Sequence, residues 1–473
     1  MKGMTIGAMV NACNGRYHGP ESELNKEIMS ITTDSRKAEK DCLFVAIKGE
    51  RSDGHDYIQS CFENGALCCM SERELPGESR PYIQVDSSLE AIKALATYYR
   101  NQLDIKVVGI TGSVGKTSTK ETIASVLSTK YKVLKTLGNF NNELGLPLTI
   151  FRIREDDEIA VLEMGISDFG EMSRLTAIAK PDVCVITNIG LCHLENLGTR
   201  DGVLKAKTEI FESMDSQGTA ILNGDDDKLC TVKDVYGKAP VFFGINNKNA
   251  VYATDVENLG LEGMDATICG LNINSDDSDI LEQSVRVHIP VAGNHMVYNA
   301  CAAAAVGAVF GLSTAQIKEG IEALQTIAGR NNIIKTKSMI IVDDCYNANP
   351  VSMKASIDVI DTAKGRKVCV LGDMFELGKE EIELHYGVGE YLATKSIDIL
   401  ITVGTLASNI ALGAKKVMSE KAGYPCSVIS FDNKSDAIEY LATELKAGDN
   451  ILVKASHGMH FSELVEKIKE MDA

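Results

Sequence analysis

Basic residues are scarce in this chain of 473 residues: 48 Lys and Arg stand against 66 Asp and Glu, a net charge of −18. That balance excludes bulk binding to nucleic acid or to an anionic membrane, since both need basic surface. It leaves room for a local basic pocket that takes a phosphorylated substrate. The 13 cysteines include no Cys-x-x-Cys pair, and the adjacent Cys68 and Cys69 have poor geometry for zinc. Thiols scattered as small hydrophobes fit a reducing compartment, so a cytoplasmic location is expected. No stretch approaches the ~20 apolar residues of a membrane span, and no stable membrane insertion is expected. The segment Met1–Val10 carries one charge and no clear cleavage site, and reads as the first helix of a domain rather than a signal peptide. Low-complexity segments and short-period repeats are absent. A monomer is the expected state.

What is present divides into three rhythms, in keeping with the length. Residues 1–102 hold short strands such as Cys42–Ile47 among polar turns, a small α/β module closed by a helix ending near Tyr98–Gln102. Residues 103–327 contain apolar runs, Ile159–Met164 and Val183–Asn188, with polar residues at their ends. Such runs suit parallel strands covered on both faces, whose carboxyl edge binds ligands. The small-residue helix around Asn299–Ala305 is expected to pack closely on a sheet. Residues 328–473 alternate strand and helix, with strands at Met339–Val342, Val368–Leu371, Ile397–Ile401, Ser427–Ile429 and Ile451–Val453. This predicts a Rossmann-like domain. It lacks Gly-x-Gly-x-x-Gly, so dinucleotide binding is not indicated. The fold class expected is α/β in three domains, the central one a parallel-sheet ATPase.

The central segment opens on Ile105-Lys-Val-Val-Gly-Ile-Thr-Gly-Ser-Val-Gly-Lys-Thr-Ser-Thr-Lys120. Gly115-Lys116-Thr117 is the core of a phosphate-binding loop. Gly112, Ser113, Val114, Gly115 and Ser118 would supply backbone or hydroxyl groups, Lys116 would reach the β/γ-phosphates, and the Thr117 hydroxyl would ligate Mg²⁺. The common loop wants glycine five residues before Gly115, and that position is Ile110. Either the Gly-Lys-Thr is fortuitous or the loop is a family variant.

The spacing Gly-x-x-Gly-x-x-Gly-Lys-Thr resembles that of the Mur ligases, the amide-forming enzymes of bacterial cell-wall precursor synthesis. Other strings carry the same resemblance: Thr187-Asn188-Ile189-Gly190 followed by His193-Leu194-Glu195, Ala206-Lys207-Thr208-Glu209-Ile210-Phe211, and Gly293-Asn294-His295 before Asn299. Asp343-Asp344-Cys345-Tyr346-Asn347-Ala348-Asn349-Pro350, Gly138–Asn142 and Leu371-Gly372-Asp373-Met374-Phe375-Glu376-Leu377-Gly378 are similar to the branch that adds D-alanyl-D-alanine to UDP-MurNAc-tripeptide. A sister branch, which adds a single amino acid, typically carries a different string at Tyr346–Pro350. Thr33–Arg36 and Asp53-Gly54-His55 occur in both.

The resemblance implies ATP-driven amide formation through an acyl phosphate, with ATP and Mg²⁺ required and UDP-MurNAc-tripeptide and D-Ala-D-Ala as partners. It implies catalytic roles for Lys116, Glu163, His193 and Lys207. Glu163, near the end of an apolar strand, would ligate Mg²⁺; the alternative is a surface or capping Glu, and its placement after Ala-Val-Leu at a strand edge favours the metal role. His193 would serve the second metal site. Lys207 would be carbamylated by CO₂, which turns a cation that repels Mg²⁺ into an anion with two oxygens; taken alone, a Lys on a helix is a solvated charge. Lys205, two residues earlier, points to another side of the helix. His295 and Asn299 share a helical face and resemble adenine and ribose contacts, or are a capping His and a buried Asn. Arg330 and Asp344 resemble residues that meet the nucleotide on domain closure, around a hinge expected near 325–330. Tyr346, Asn347 and Asn349 resemble acceptor-pocket lining. Ser35, Arg36, Asp53, His55, Asn139, Asn141 and Asn142 resemble UDP-precursor contacts. His457, in Lys454-Ala455-Ser456-His457, departs from the family's frequent Arg. A non-catalytic nucleotide-binding protein would be expected to lose one of these catalytic positions, and none is lost.

Overall fold

The structure, a computed structural model, describes residues 1–50, 52–246, 248–273, 283–420 and 426–472. These residues gather into two compact units. The first comprises 1–111, 130–185 and 206–220; the second comprises 112–129, 186–205 and 221–473.

In the first unit, β1 (Arg16–His18), β2 (Ser30–Thr32), β3 (Cys42–Val45), β4 (Cys68–Ser71) and β5 (Tyr82–Gln84) form one sheet in the order β1-β5-β4-β3-β2. Only β1 runs antiparallel to its neighbour. The expected first helix is present as Ile6–Ala12, capped by the Thr5 hydroxyl. The same unit holds β6 (Lys106–Thr111), β7 (Val133–Lys135) and β8 (Ile159–Glu163), paired in parallel as β6-β8-β7. Every residue of β8 is buried, as is every residue of β9 (Val183–Ile186). Their apolar runs, with a single charged residue at the end of β8, match strands covered on both faces.

β10 (Thr219–Asn223) begins in the first unit, and in the second its residues Ile221–Asn223 pair in parallel with β11 (Val241–Gly244), as β11 does with β12 (Val251–Asn258). Then the direction changes: β13 (Met264–Cys269) and β14 (Val285–Ile289) are antiparallel. The parallel sheet expected for the central segment is present and is extended by these two antiparallel strands. The reason is visible in β12, where buried and partly exposed residues alternate at its start before exposed ones take over. A sheet with one face open to water takes antiparallel strands.

The last sheet joins β15 (Asn332–Lys335), β16 (Ile340–Asp343), β17 (Lys367–Gly372), β18 (Ile399–Val403), β19 (Ser427–Phe431) and β20 (Asn450–Lys454) in the order β15-β16-β20-β17-β18-β19. All pairs but β15–β16 are parallel. Alternate residues enter two cores. Cys369, Leu371, Leu400 and Leu452 meet helices Pro350–Asp361, Glu381–Leu392 and Ser408–Glu420. Val368, Val370, Ile401 and Val453 meet helices Lys434–Glu444 and Ser462–Met471.

Helix Lys116–Leu127 starts at the phosphate loop and is wedged by two others. Helix Asn294–Val309, buried throughout Asn299–Ala308, packs along it. Helix Thr314–Glu322 crosses it at Gly320, whose carbonyl accepts from the Ser125 hydroxyl at 2.6 Å. A Cβ at Gly320 would stand 2.3 Å from the Val126 Cα, so only glycine permits this approach. Gly320→Ala should therefore destabilise the protein by about 1–3 kcal/mol through overpacking, read as a lower thermal midpoint. Gly387→Ala, in a helix with open space at its Cβ, should leave the midpoint unchanged or raise it.

Candidate active site

The phosphate loop is braced from behind by the chain that follows β9. Ser113 N donates to the Asn188 carbonyl at 3.0 Å. Val114 N donates to Asn188 Oδ1 at 2.9 Å, while the Val114 carbonyl accepts from Asn188 Nδ2 at 2.9 Å and Thr187 Oγ1 at 2.7 Å. Gly190 N donates to Ser113 Oγ at 2.8 Å. The Ser113 and Val114 amides, expected on phosphate, are thus committed to this wall. The first turn, at Thr117 and Ser118, carries N–H groups that no intrahelical carbonyl can reach, at the positive end of the helix. Lys116 Nζ folds back onto the Gly112 carbonyl at 2.8 Å. Gly112 has φ +149°, and a Cβ there would lie 1.9 Å from Thr187 Oγ1.

Glu163, 2% exposed, closes β8 level with Ile110 of the loop strand. Its backbone N donates to Thr136 Oγ1 at 3.0 Å, and its Oε1 accepts from Asn141 Nδ2 at 2.8 Å. Asn141 therefore orients Glu163. Asn142 Oδ1 accepts from Gly145 N at 2.8 Å and secures the next helix, and Asn139 is exposed. Lys207 is 1% exposed, whereas Lys205 is exposed. The plain reading of Lys207 as a solvated charge is overturned. The segment is anchored just beyond it: the Glu209 carboxylate accepts from Gly170 N at 3.0 Å and from Ser173 N and Oγ, and the Ile210 carbonyl accepts from Thr176 Oγ1 at 2.9 Å.

His193 sits at φ +51° before the short helix Leu194–Leu197, its Nδ1 3.6 Å from Glu376 Oε2. Asn299 is buried; its Oδ1 accepts from Thr119 Oγ1 at 2.9 Å, which ties helix Asn294–Val309 to the loop helix. His295 lines a small pocket with Asn258, Asp358 and Thr362. Burial pushes its imidazole below the ordinary value, with Asp344 opposing and Lys454 assisting.

Asp344 lies at the centre of a closed cluster. It accepts from Lys454 Nζ at 2.5 Å, Ser356 Oγ at 2.5 Å and Asn331 N at 2.9 Å. Burial alone would raise its carboxyl; Lys454, Ser356 and Asn331 outweigh it and hold the carboxyl below its usual range. Lys454, 2% exposed, also donates to the Asn347 carbonyl at 3.2 Å. Asn349 Oδ1 accepts from Ser352 N at 2.8 Å as the cap of helix Pro350–Asp361, and Asn347 Oδ1 accepts from Ala348 N at 2.9 Å. These two asparagine oxygens shape the turn rather than face a ligand. The Arg330 guanidinium lies 4.0 Å from the Tyr346 ring centroid, and the His457 ring 5.2 Å from it. Near the expected hinge, Gly329 and Asn331 both have positive φ.

In the first unit, the Asp34 carboxylate caps the turn at Ser35 and binds Arg36 through Nε at 2.8 Å. Asp53 Oδ1 accepts from His55 N at 3.0 Å and faces His55 Nδ1 at 2.6 Å. His55 Nε2 accepts from Glu72 N at 3.1 Å, so the proton resides on Nδ1 and both ring nitrogens serve the protein. Those His55 bonds, with Arg73, hold the Asp53 carboxyl at about 2.

The sequence reading missed Asn223, Asp226 and Arg200, which hold the segment Thr187–Ile189. The available signal was the polar run Asn223–Asp227 at the carboxyl end of apolar β10.

The chain matches the family models of the Mur ligase catalytic domain over residues 27–100, the Mur ligase middle domain over 110–307 and the Mur ligase glutamate ligase domain over 329–457. It belongs to the Mur ligase family and has that family's three-domain α/β fold. It is 38% identical to UDP-N-acetylmuramoyl-tripeptide--D-alanyl-D-alanine ligase of Bacillus subtilis over 98% of both chains. With the protein of the same name from Escherichia coli it shares 32% over 99% of both. Among solved structures it is similar to MurF from Acinetobacter baumannii (TM-score 0.86, 32% identity, 99% of both chains). It is also similar to MurF ligase from Thermotoga maritima in complex with ADP (TM-score 0.79, 31% identity, 93% of this chain and 97% of that one).

The lowered Asp53 carboxyl has a consequence in acid. Its contribution to stability is complete above the ordinary value of 3.8 and is lost as pH falls through about 2. Thermal midpoints of the parent and of Asp53→Asn should differ most above pH 4 and converge toward pH 2.

Proposed function

We propose that this protein is an ATP-dependent, ADP-forming ligase that joins D-alanyl-D-alanine to UDP-MurNAc-tripeptide, giving the UDP-MurNAc-pentapeptide precursor of the cell wall. One observation carries the reading: the similarity to the Bacillus subtilis ligase runs through the whole chain at 38% identity. We set domain borders at 102/103 and 327/328, with the UDP-precursor bound by the first domain, ATP by the second and D-Ala-D-Ala by the third. We further place the protein in the cytoplasm as a monomer; no helix among the described residues is long and apolar enough to cross a membrane.

Carboxylate and amine do not condense in water without a leaving group. The tripeptide's terminal carboxylate attacks the γ-phosphorus of ATP, the bridging P–O bond breaks and ADP leaves, giving an acyl phosphate; the D-Ala-D-Ala amine then attacks the carbonyl, losing a proton, and phosphate departs. We assign charge neutralisation on the transferring phosphoryl group to Lys116. We assign Mg²⁺ binding to Thr117, Glu163, His193 and carbamylated Lys207. The hydroxyl and carboxylate oxygens of Thr117 and Glu163 suit a hard cation, and the carbamate would add two more oxygens in place of an ammonium. We assign nucleotide contacts to Gly112, Gly115, Lys116, Thr117, Ser118, His295, Asn299, Arg330 and Asp344, while Ser113 and Val114 hold the loop against Asn188. Ser35, Arg36, Asn139 and Tyr346 serve as substrate contacts, and Asp53, His55, Asn141, Asn142, Asn347 and Asn349 shape the substrate turns.

With D-Ala-D-Ala and UDP-MurNAc-tripeptide, mass spectrometry should detect the pentapeptide, with one ADP and one phosphate released per product. Phosphate release only with a free diamino acid and the dipeptide precursor would sink the assignment. Lys207→Ala should lose turnover and recover part of it with a short carboxylic acid in the buffer; undiminished turnover without that acid would exclude the carbamate role.

A further inference from the structure

The loop that grips phosphate leans on Thr187–Gly190, and that segment is itself held by charged side chains from elsewhere in the chain. The Ile189 N–H donates to Asp226 Oδ2 at 2.8 Å, and the Ile189 carbonyl accepts from Arg200 Nε at 2.9 Å. The far edge of the Arg200 guanidinium closes on Asp227, with NH1 to Oδ2 at 3.0 Å and NH2 to Oδ1 at 2.5 Å. Asp226 is fixed in turn, its Oδ1 accepting from Lys228 N and Leu229 N, each at 2.9 Å. Asn223 Nδ2 donates to the Thr187 carbonyl at 3.0 Å.

We propose that Asp226 and Arg200, with Asp227 behind Arg200, are positioning residues for the nucleotide loop. The proposal rests on the reading of that loop as the ATP site. Ile189 stands between Asn188, which brackets the Val114 peptide, and Gly190, which donates to Ser113 Oγ. A shift of Ile189 therefore moves two supports of the loop together. The residue types are specific to the task. Asp226 receives three N–H donors on two oxygens; asparagine has one acceptor oxygen and would set its own N–H against one of them. Arg200 donates from Nε to a carbonyl and from its outer edge to a carboxylate in one plane, which a lysine ammonium cannot do. The Arg200 and Asp227 side chains are 32% and 69% exposed, so this ion pair adds little to overall stability. Its effect is on where Ile189 sits.

That division supplies the test. In the full-length protein, ADP affinity is measured by calorimetry, and KM for ATP, UDP-MurNAc-tripeptide and D-Ala-D-Ala by steady-state kinetics. Asp226→Asn and Arg200→Lys should weaken ADP binding and raise KM for ATP by about tenfold, the scale of a lost charge-assisted hydrogen bond. Asp227→Asn should do the same to a smaller degree. KM for the other two substrates should stay within about twofold, and Arg200→Lys should keep the parent's thermal midpoint. If Asp226→Asn does not fold, the exposed pair carries the test through Arg200→Lys and Asp227→Asn. Parent-like ADP affinity in Arg200→Lys, or an equal rise in all three KM values, would overturn the proposal. A parent protein that binds no ADP would instead overturn the ATP reading itself.

Discussion

The peptide group of Val114 is gripped on both sides, and the nucleotide site depends on that grip. A phosphate loop works with bare backbone, so it has no side-chain packing to hold its shape before a ligand arrives. Asn188 replaces such packing with a side-chain amide that pairs with the Val114 peptide as another peptide would. Gly112 allows the approach, since the space of a Cβ is taken by Thr187 Oγ1. The helix that follows is then locked by Asn299 through Thr119 and by Gly320 against Val126. Preorganisation of this kind is what lets backbone dipoles act on developing charge without rearranging.

A second constraint comes from burying cations in an acidic chain. Net charge says little about the interior, where each charge needs its own partner. Lys454 illustrates the structural solution: Asp344 and the Asn347 carbonyl surround it, and the cluster ties β20 to the turn that carries Tyr346. Lys207 is as deeply buried, yet the residues just after it do the anchoring. Glu209 caps helix Glu171–Ala179, and Ile210 is bonded to Thr176. The chain thus fixes the backbone just beyond Lys207 through Glu209 and Ile210.

What could be read from the sequence was what is local. The glycine-spaced loop, the apolar runs of β8 and β9 and the alternating last domain each follow from a few adjacent residues. The antiparallel β12–β14 did not, because their half-exposed pattern gives short, ambiguous apolar runs. Asn349 looked like pocket lining and is a helix cap, for Asn before Pro suits both. His55 looked like a substrate contact and has both nitrogens engaged by protein. Asp226 and Arg200 were missed for a different reason. Asp226 meets Ile189 across 37 residues and Arg200 across 11, and neither sits in a string with a phosphate-binding spacing.

His457 takes its place in the packing around Tyr346. The ring of Tyr346 is contacted by the Arg330 guanidinium at 4.0 Å and by the His457 ring at 5.2 Å. A guanidinium on an aromatic face and a tilted aromatic pair are both favourable and compatible around one ring. Histidine keeps an aromatic contact with Tyr346 there, while Ser456 beside it donates its backbone N–H to the Asp373 carbonyl and takes the Phe375 N–H on its hydroxyl. Arg330 and His457 thus share one contact surface, the ring of Tyr346.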